Sequence, residues 1–188
     1  MPLRTARHDI ALIAALLTTA ENEARALGDS EPGAEHLLLA ALLVDDSSAR
    51  DALGAVPRAR DAHGVVPRAR DAHGAVPASR DAHGIGAAAV REAIVAVHAE
   101  ALAAVSITVD EQAQPLPPSH GVYRSEVSTQ EVFQQARRLA RRSPSGLRSA
   151  HVLLAVAERE HGTAARVLAW LGLERASVID AARRALDG

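Results

Sequence analysis

Apolar residues recur along the chain at alternating steps of three and four, the spacing of one face of an α-helix. The first such segment runs from Ala6 to Leu27, and its predicted apolar face consists of Ile10, Ile13, Leu17, Ala20, Ala24 and Leu27. A second segment, Thr129 to Arg142, has its predicted face at Val132, Ala136, Leu139 and Ala140, with Phe133 beside it. Runs that alternate with period two are scarce, so the pattern predicts an all-α protein.

The helix pattern occurs twice. Residues 33–43 read G-A-E-H-L-L-L-A-A-L-L and residues 148–157 read R-S-A-H-V-L-L-A-V-A, which aligns His36 with His151. Each motif follows an amphipathic helix and a short polar turn, and each precedes two further predicted helices. These are Ser48–Gly54 and Ala87–Val105 in the first copy, and Thr163–Gly172 and Leu173–Leu186 in the second. The sequence therefore predicts a tandem double repeat of four-helix units, about eight helices in all.

Ten-residue repeats lie inside the first unit. Residues 50–59 read R-D-A-L-G-A-V-P-R-A, residues 60–69 read R-D-A-H-G-V-V-P-R-A, and residues 70–79 read R-D-A-H-G-A-V-P-A-S. The second unit has no such array, so we assign residues 51–83 as a decapeptide insert in the first repeat. A Pro and a Gly in every ten residues disfavour a long helix, so short helical turns or a mobile loop are expected.

Proline and glycine also mark a linker between the two units. Pro115, Pro117, Pro118 and Gly121 are typical of extended or turn-like backbone. The predicted organisation is a first repeat over residues 1–105, a linker over 106–127 and a second repeat over 128–188.

Composition narrows the possible functions. The 188 residues contain 21 basic residues, all of them arginine, and 23 acidic residues, for a net charge of −2. This balance gives no reason to expect nucleic acid or an anionic membrane as partner. A P-loop requires a lysine, which this chain does not have. The absence of cysteine excludes thiol nucleophiles and is compatible with a reducing cytoplasm.

The first helix has some features of a signal peptide. Arg4 and Arg7 precede the apolar stretch from Ile10 to Leu17. Because the helical spacing continues beyond any cleavage point and Asp9 interrupts the charge pattern, a soluble helix is the preferred interpretation. No stretch has the length needed to span a bilayer, so we expect a cytoplasmic protein without a membrane partner.

The motif Gly33-Ala34-Glu35-His36-Leu37-Leu38-Leu39 resembles the hallmark of the Clp N-terminal repeat family, whose members usually read G-T-E-H-[IL]-L-L and carry two such repeats in tandem. Residues 123–136, Y-R-S-E-V-S-T-Q-E-V-F-Q-Q-A, are similar to the start of the family's second repeat. The resemblance covers nearly the whole chain outside the insert. It implies a compact α-helical double repeat of the ClpC type, here expected to stand alone without the ATPase modules.

The resemblance also implies a function. A domain of this family receives substrates and adaptors, so we expect a non-enzymatic protein- or peptide-binding module of the Clp proteolytic system, acting as adaptor, decoy or ligand-sequestering protein. Its expected partners are protein or peptide clients, a Clp ATPase or a cyclic-peptide ligand, with no cofactor. The alternative is a helical scaffold or regulator unrelated to proteolysis that binds through the decapeptide insert. A third alternative, an enzyme, would require His36 or His151 to be paired in a pocket with a carboxylate of perturbed pKa.

The candidate binding residues are Glu35, His36, Arg137, Arg138, Arg141 and Arg142. In some family members the glutamate of the motif binds phosphorylated arginine, a role that maps to Glu35. The adjacent family threonine is Ala34 here, and the second repeat has Ala150 in place of the glutamate. A carboxylate at a helix start also interacts favourably with the helix dipole.

Other candidates have simpler interpretations. His36 and His151 are expected to bond the backbone of a neighbouring turn. The four arginines cluster on one helix, either as solvated surface or as contact for an acidic partner patch. His63, His73 and His83 have the chemistry of a Zn²⁺ or Ni²⁺ site, but their spacing follows from duplication, so no metal site is predicted. Trp170 is expected to pack in a core.

Overall fold

The computed structural model describes residues 3–57, 85–104 and 126–188, with side chains from Arg7 onward. In these ranges the chain forms eight α-helices and no strand, which confirms the all-α prediction. The helices are α1 (Leu3–Ala26), α2 (Ala34–Leu43), α3 (Ser48–Gly54), α4 (Ala87–Ala104), α5 (Val127–Ala140), α6 (Ser149–Ala157), α7 (Thr163–Trp170) and α8 (Arg175–Asp187). Residues 58–83 of the predicted insert and 106–125 of the predicted linker lie outside the described residues. None of the described helices combines the length and apolar character needed to cross a bilayer.

The centre of the fold is the pair α2 and α6, which pack against each other. Both helices are buried along almost their whole length, from Ala34 to Leu42 and from Ser149 to Ala157. A helix that is apolar on all sides is stable only when other helices surround it. α1 packs on α2, and α5 packs on α6.

The outer helices pack across the two halves of the chain. α3 lies against α8, and α7 lies against α4. α3 also contacts α6, and α7 also contacts α2. Residues 3–57 and 85–104 therefore share one hydrophobic core with residues 126–188.

The predicted apolar face of α1 is partly wrong. Leu12, Leu16, Ala20 and Ala24 are buried, whereas Ile10 is 67 % exposed. Ile13 is only partly buried. A helix rich in Ala and Leu has apolar residues on more than one side. The side of α1 that packs against α2 is the one on which apolar residues recur every four positions from Leu12 to Ala24. The predicted face of α5 is confirmed, since its Val132, Ala136 and Ala140 are buried.

The expected core position of Trp170 is also wrong, because its side chain is 40 % exposed. α7 buries Ala164, Val167 and Leu168, which share one helix face. Position 170 is two residues beyond Leu168, roughly 200° around the helix, and so points away from that face. The helix ends at Trp170, two residues before the predicted end at Gly172, and Gly172 follows with a φ of +71°, a left-handed conformation favourable to glycine.

Candidate functional site

The two motif helices begin with the same hydrogen bond. The Gly33 N–H donates to His36 Nδ1 at 3.0 Å, and the Arg148 N–H donates to His151 Nδ1 at 3.0 Å. Each histidine thereby satisfies a backbone donor that a free helix N-terminus would leave unpaired. His36 and His151 are 1 % and 2 % exposed, respectively. The prediction that both histidines bond the backbone of a neighbouring turn is confirmed.

Glu35 folds back over Gly33 at the start of α2. A Cβ atom at position 33 would lie 2.2 Å from Glu35 Oε1, closer than atoms can approach. The glutamate is 5 % exposed, and its Oε1 lies 3.3 Å from His36 Nδ1. At the start of α6 the equivalent positions are Arg148 and Ala150. A larger residue at position 33 would therefore require the end of the Glu35 side chain to shift.

Two carboxylates surround the His36 ring. Asp29 Oδ2 lies 3.2 Å from Nε2, and Glu35 Oε1 faces Nδ1. Asp29 Oδ2 also lies 3.7 Å from Nδ1 of His98 on α4. Burial lowers the pKa of His36, but the Asp29 and Glu35 carboxylates outweigh burial and raise the pKa from 6.5 to about 9. Protonation converts Nδ1 from the acceptor of the Gly33 N–H into a donor toward Glu35.

The pKa of His151 is shifted in the opposite direction. Burial is the largest cause and lowers this pKa, and the positive charge of Arg148 lowers it further, whereas the Arg148 backbone hydrogen bond and the charges of Asp46 and Asp9 raise it without offsetting the decrease. Ala150 stands where Glu35 stands in α2, so no motif carboxylate faces this ring. The carboxylates of Asp29 and Glu35 therefore favour the charged form of His36, in which Nδ1 can no longer accept the Gly33 N–H. Burial favours the neutral form of His151, which keeps its hydrogen bond from the Arg148 N–H.

The His36 cluster is not a pocket. The side chains of His36 and Glu35 are nearly inaccessible, and neither residue lines the groove beside α5 and α6 or the groove beside α4 and α7. Over the described ranges, no group of three or more metal-ligating side chains is placed to hold an ion. His63, His73 and His83 lie outside the described residues.

The arginine row consists of Arg137 and Arg138 on α5 and of Arg141 and Arg142 in the turn that follows it, and all four side chains are exposed to solvent. Arg138 donates to Gln135 Oε1 from Nε at 3.0 Å and from Nη2 at 2.8 Å. The candidate residues thus divide into a buried pair, Glu35 and His36, and an exposed set of four cations.

A groove of about 360 Å³ lies beside the arginine row, between α5 and α6. Arg138 is part of its lining, together with Glu131, Gln135, Glu158 and Arg159. Across it, Gln135 donates to Glu158 at 2.9 Å, and Arg159 donates to Glu131 at 2.7 Å. Sequence reasoning missed Glu158 and Arg159, because they follow the last buried turn of α6 and carry no motif.

Sequence reasoning also missed Asp46, which joins the starts of α3 and α6. Its carboxylate accepts the N–H of Ser48 at 3.0 Å and the N–H of Ser149 at 2.6 Å. Burial tends to raise the pKa of Asp46, but the Ser48 and Ser149 hydrogen bonds dominate and hold it below its usual range. The start of α2 is likewise capped from the other half, since the Ala34 N–H donates to Ser128 Oγ at 3.2 Å.

Comparison with known proteins adds no assignment to this geometry. No protein-family model matches the chain, and no curated protein matches it. Function is therefore inferred from the contacts above and from the sequence itself.

Proposed function

We propose that this protein is a non-enzymatic protein- or peptide-binding module of the Clp type, built as a tandem double repeat of four-helix units. It would act as an adaptor, a decoy or a ligand-sequestering protein for an unfoldase. The G-A-E-H motif at residues 33–36, with its counterpart at 148–151, provides the sequence basis of this proposal.

The observation that carries the proposal is the reciprocal packing of the halves. α3 pairs with α8 and α7 pairs with α4, while α2 and α6 meet in the centre. Two copies of one unit, related by an approximate two-fold axis, are expected to exchange equivalent helices in this way. Matching backbone bonds of His36 and His151 also support a duplicated unit. The decapeptide insert is part of the proposal as a sequence feature of the first unit.

The proposed client contact is the arginine row. Arginines one helical turn apart, such as Arg137 and Arg141, project from one side of a helix and suit paired hydrogen bonds to carboxylates or phosphates. The Glu35 side chain is directed inward toward His36, so it would have to turn outward before a ligand could reach its carboxylate. Client binding through α5 requires no such rearrangement.

The direct test is binding of the purified chain to a purified Clp ATPase and to a fluorescein-labelled acidic peptide. The paired substitutions Arg137→Gln and Arg141→Gln should weaken binding at least tenfold. A matched control replaces Arg183 and Arg184, an exposed pair on α8, with glutamine. Glutamine keeps helix propensity, so circular dichroism should be the same for both variants.

Each result is informative. Weakened binding in the α5 variant alone supports the proposal, and equal binding in both variants excludes the arginine row. If the chain binds neither a Clp ATPase, nor a client, nor a cyclic-peptide ligand of the family, the Clp assignment is wrong.

Deletion of residues 60–79 tests the alternative scaffold function. Loss of partner binding with unchanged helix content would favour binding through the decapeptide insert.

A further inference from the structure

The turn between α5 and α6 carries two serines directly after the arginine row. Residues 141–146 read R-R-S-P-S-G, and Pro144 and Ser145 are exposed whereas Gly146 is buried. The Gly146 N–H donates to the Ser143 carbonyl at 3.4 Å, which closes a β-turn with proline at its second position. Proline suits that position because its φ is already fixed at the value that the turn requires. Ser145 therefore lies at the exposed tip of a defined turn.

The hydroxyl of Ser145 faces solvent and a neighbouring side chain of the same turn. It lies 2.8 Å from the hydroxyl of Ser143, on the exposed surface. The turn is attached to the rest of the fold further along, where the Leu147 N–H donates to Asp9 Oδ1 at 3.0 Å. A larger group on Ser145 Oγ can therefore extend into solvent while this attachment stays in place.

Two arginines precede Ser145 at close spacing. Arg142 lies three residues and Arg141 four residues before the serine, and both are exposed. Kinases distinguish their substrates partly by the pattern of charges around the acceptor hydroxyl. An exposed guanidinium can donate paired, charge-assisted hydrogen bonds to a carboxylate in the substrate cleft of a kinase. Ser145 therefore combines an accessible hydroxyl with a recognition element for an enzyme that modifies it.

Ser30, in the turn between α1 and α2, is an internal comparison. It is exposed, as Ser145 is, but Leu27 stands three residues before it and Ala26 four residues before it. A backbone hydrogen bond of 3.2 Å joins this turn to the residue that precedes α5. Ser30 thus lies near the start of α5, whereas the arginine row lies at its end. The two serines share exposure and differ in the arginines.

We propose that Ser145 is a phosphorylation site for an arginine-directed serine kinase, and that its phosphate prevents the arginine row from binding acidic clients. In the reaction, Ser145 Oγ forms a bond to the γ-phosphorus of ATP, the bond from that phosphorus to the β,γ-bridging oxygen breaks, and ADP leaves. The hydroxyl proton passes to the catalytic carboxylate of the kinase. The regulatory part of this proposal rests on the proposed client contact, whereas the site itself does not.

The phosphate acts on the arginine row through charge. It adds a charge of about −1.5 to −2 beside four cations. Its oxygens can accept charge-assisted hydrogen bonds from Arg141 and Arg142, the arginines nearest to it in the chain. A client carboxylate competes for the same guanidinium groups and is repelled by the phosphate. Phosphorylation should therefore weaken the binding of an acidic peptide about tenfold.

The first experiment maps phosphate on the protein purified from the cells that produce it. Trypsin cleaves after Arg142 and Arg148, so it releases residues 143–148 as one peptide, and fragmentation in the mass spectrometer distinguishes phosphate on Ser143 from phosphate on Ser145. Phosphate on Ser145 is the expected result. If growing and starved cells both yield this peptide in the unmodified form alone, or with phosphate on Ser143 alone, the site is wrong.

Recognition of the arginines is tested with two variants produced in the same cells. Arg142→Gln should lower the phosphorylated fraction of Ser145 about tenfold, because it removes the guanidinium that the kinase binds. Arg137→Gln is the matched control, since Arg137 lies eight residues before the serine, and it should leave that fraction unchanged. Mass spectrometry of the intact chains measures both. Equal phosphorylation of the two variants would show that the kinase is not directed by the arginine.

The effect on client binding is measured with Ser145→phosphoserine and the control Ser30→phosphoserine, both made by genetic encoding. Fluorescence anisotropy compares their affinities for a fluorescein-labelled acidic peptide with that of the unmodified chain. The Kd should rise about tenfold for phosphate at position 145 and stay unchanged for phosphate at position 30.

Equal affinity of the two phosphorylated chains would overturn the regulatory role and leave the Clp proposal intact. If the unmodified chain does not bind the peptide, the proposed client contact is wrong, and the regulatory role with it. The phosphate mapping decides the site in either case.

Discussion

Ser48 and Ser149 lie 101 positions apart in the chain, yet their hydroxyl oxygens are 3.1 Å apart in the core. Ser149 Oγ accepts the N–H of Ala49 at 3.0 Å, and Ser48 Oγ accepts the N–H of Ala150 at 3.0 Å. Each serine therefore caps the helix that begins with the other serine. The residues that precede α3 and α6 make no side-chain cap of their own. The exchange satisfies backbone donors that both helices would otherwise leave unpaired in the core.

Removal of either serine hydroxyl should destabilise the protein. Ser48→Ala and Ser149→Ala are each expected to lower the free energy of unfolding by about 1–2 kcal/mol, the usual effect of losing a helix cap. Because the two hydroxyls contact each other, the double variant should cost less than the sum of the single variants. Urea denaturation measures all three. Ser47→Ala is the control, since its hydroxyl bonds Asp51 on the exposed surface and its loss should change little. If the losses in unfolding free energy of Ser48→Ala and Ser149→Ala simply add in the double variant, the two hydroxyls do not act together.

Gly33→Ala should destabilise the protein through Glu35. The backbone at Gly33 has a φ of −92° and a ψ of −179°, which alanine also adopts, so the expected cost comes from the Glu35 carboxylate that a Cβ would strike. Because only the end of the Glu35 side chain has to move, we expect a loss of about 1 kcal/mol, the low end of overpacking costs. The double variant Gly33→Ala/Glu35→Ala should recover most of this loss. Guanidinium denaturation of the wild type, the two single variants and the double variant gives the four free energies of unfolding of this double-mutant cycle. If the double variant is no more stable than Gly33→Ala, the Glu35 carboxylate is not the cause of the loss.

His36 and His151 should give stability opposite dependences on pH. The pKa of His36 is raised from 6.5 to about 9, so the folded state holds a proton that the unfolded chain loses between these values. Its contribution is complete below pH 6.5 and is lost as the pH rises through 9. The pKa of His151 is lowered, so its contribution is complete above pH 6.5 and is lost as the pH falls below that value.

Unfolding midpoints measured from pH 5 to 10 test this difference. His36→Gln should flatten the decline on the alkaline side, and Asp29→Asn should reduce it because Asp29 helps to hold the proton. His151→Gln should leave the alkaline side unchanged. If the unfolding midpoint of His36→Gln falls at alkaline pH as much as that of the wild type, a group other than His36 is responsible for the decrease.

Trp170 and Leu168 should contribute very differently to stability, although both lie on α7. Leu168 is 2 % exposed, and Leu168→Ala should cost about 2–5 kcal/mol by leaving a cavity. Trp170 is 40 % exposed, so Trp170→Ala should cost less despite the larger side chain. Trp170 is also the single tryptophan, and its fluorescence should be readily quenched by acrylamide. A cost for Trp170→Ala equal to that of Leu168→Ala would place the indole in the core.

Local features of the fold could be predicted from the sequence, because helix spacing and capping depend on residues close together in the chain. The backbone bonds of His36 and His151 are examples, as each spans only three residues. Contacts such as Asp46 to Ser149 could not be predicted, since they depend on how the halves pack. The exposure of Ile10 depends similarly on which of several apolar stripes α1 turns toward α2. The groove residues Glu158 and Arg159 carry no sequence signal that separates them from ordinary surface charges.

The cap of α2 has a consequence for synthesis on the ribosome. The Ala34 N–H bonds to Ser128 Oγ, a residue made 94 positions later, and the hydroxyl that caps α3 comes from Ser149, 100 positions after Ala49. When α1 to α4 have just emerged from the ribosome, the nascent chain therefore still lacks Ser128 and Ser149, whose hydroxyls cap α2 and α3. Contacts of such long range delay folding until both partners have emerged. Native structure in the first half should form only after α6 has left the exit tunnel, so that the protein folds as one unit late in translation.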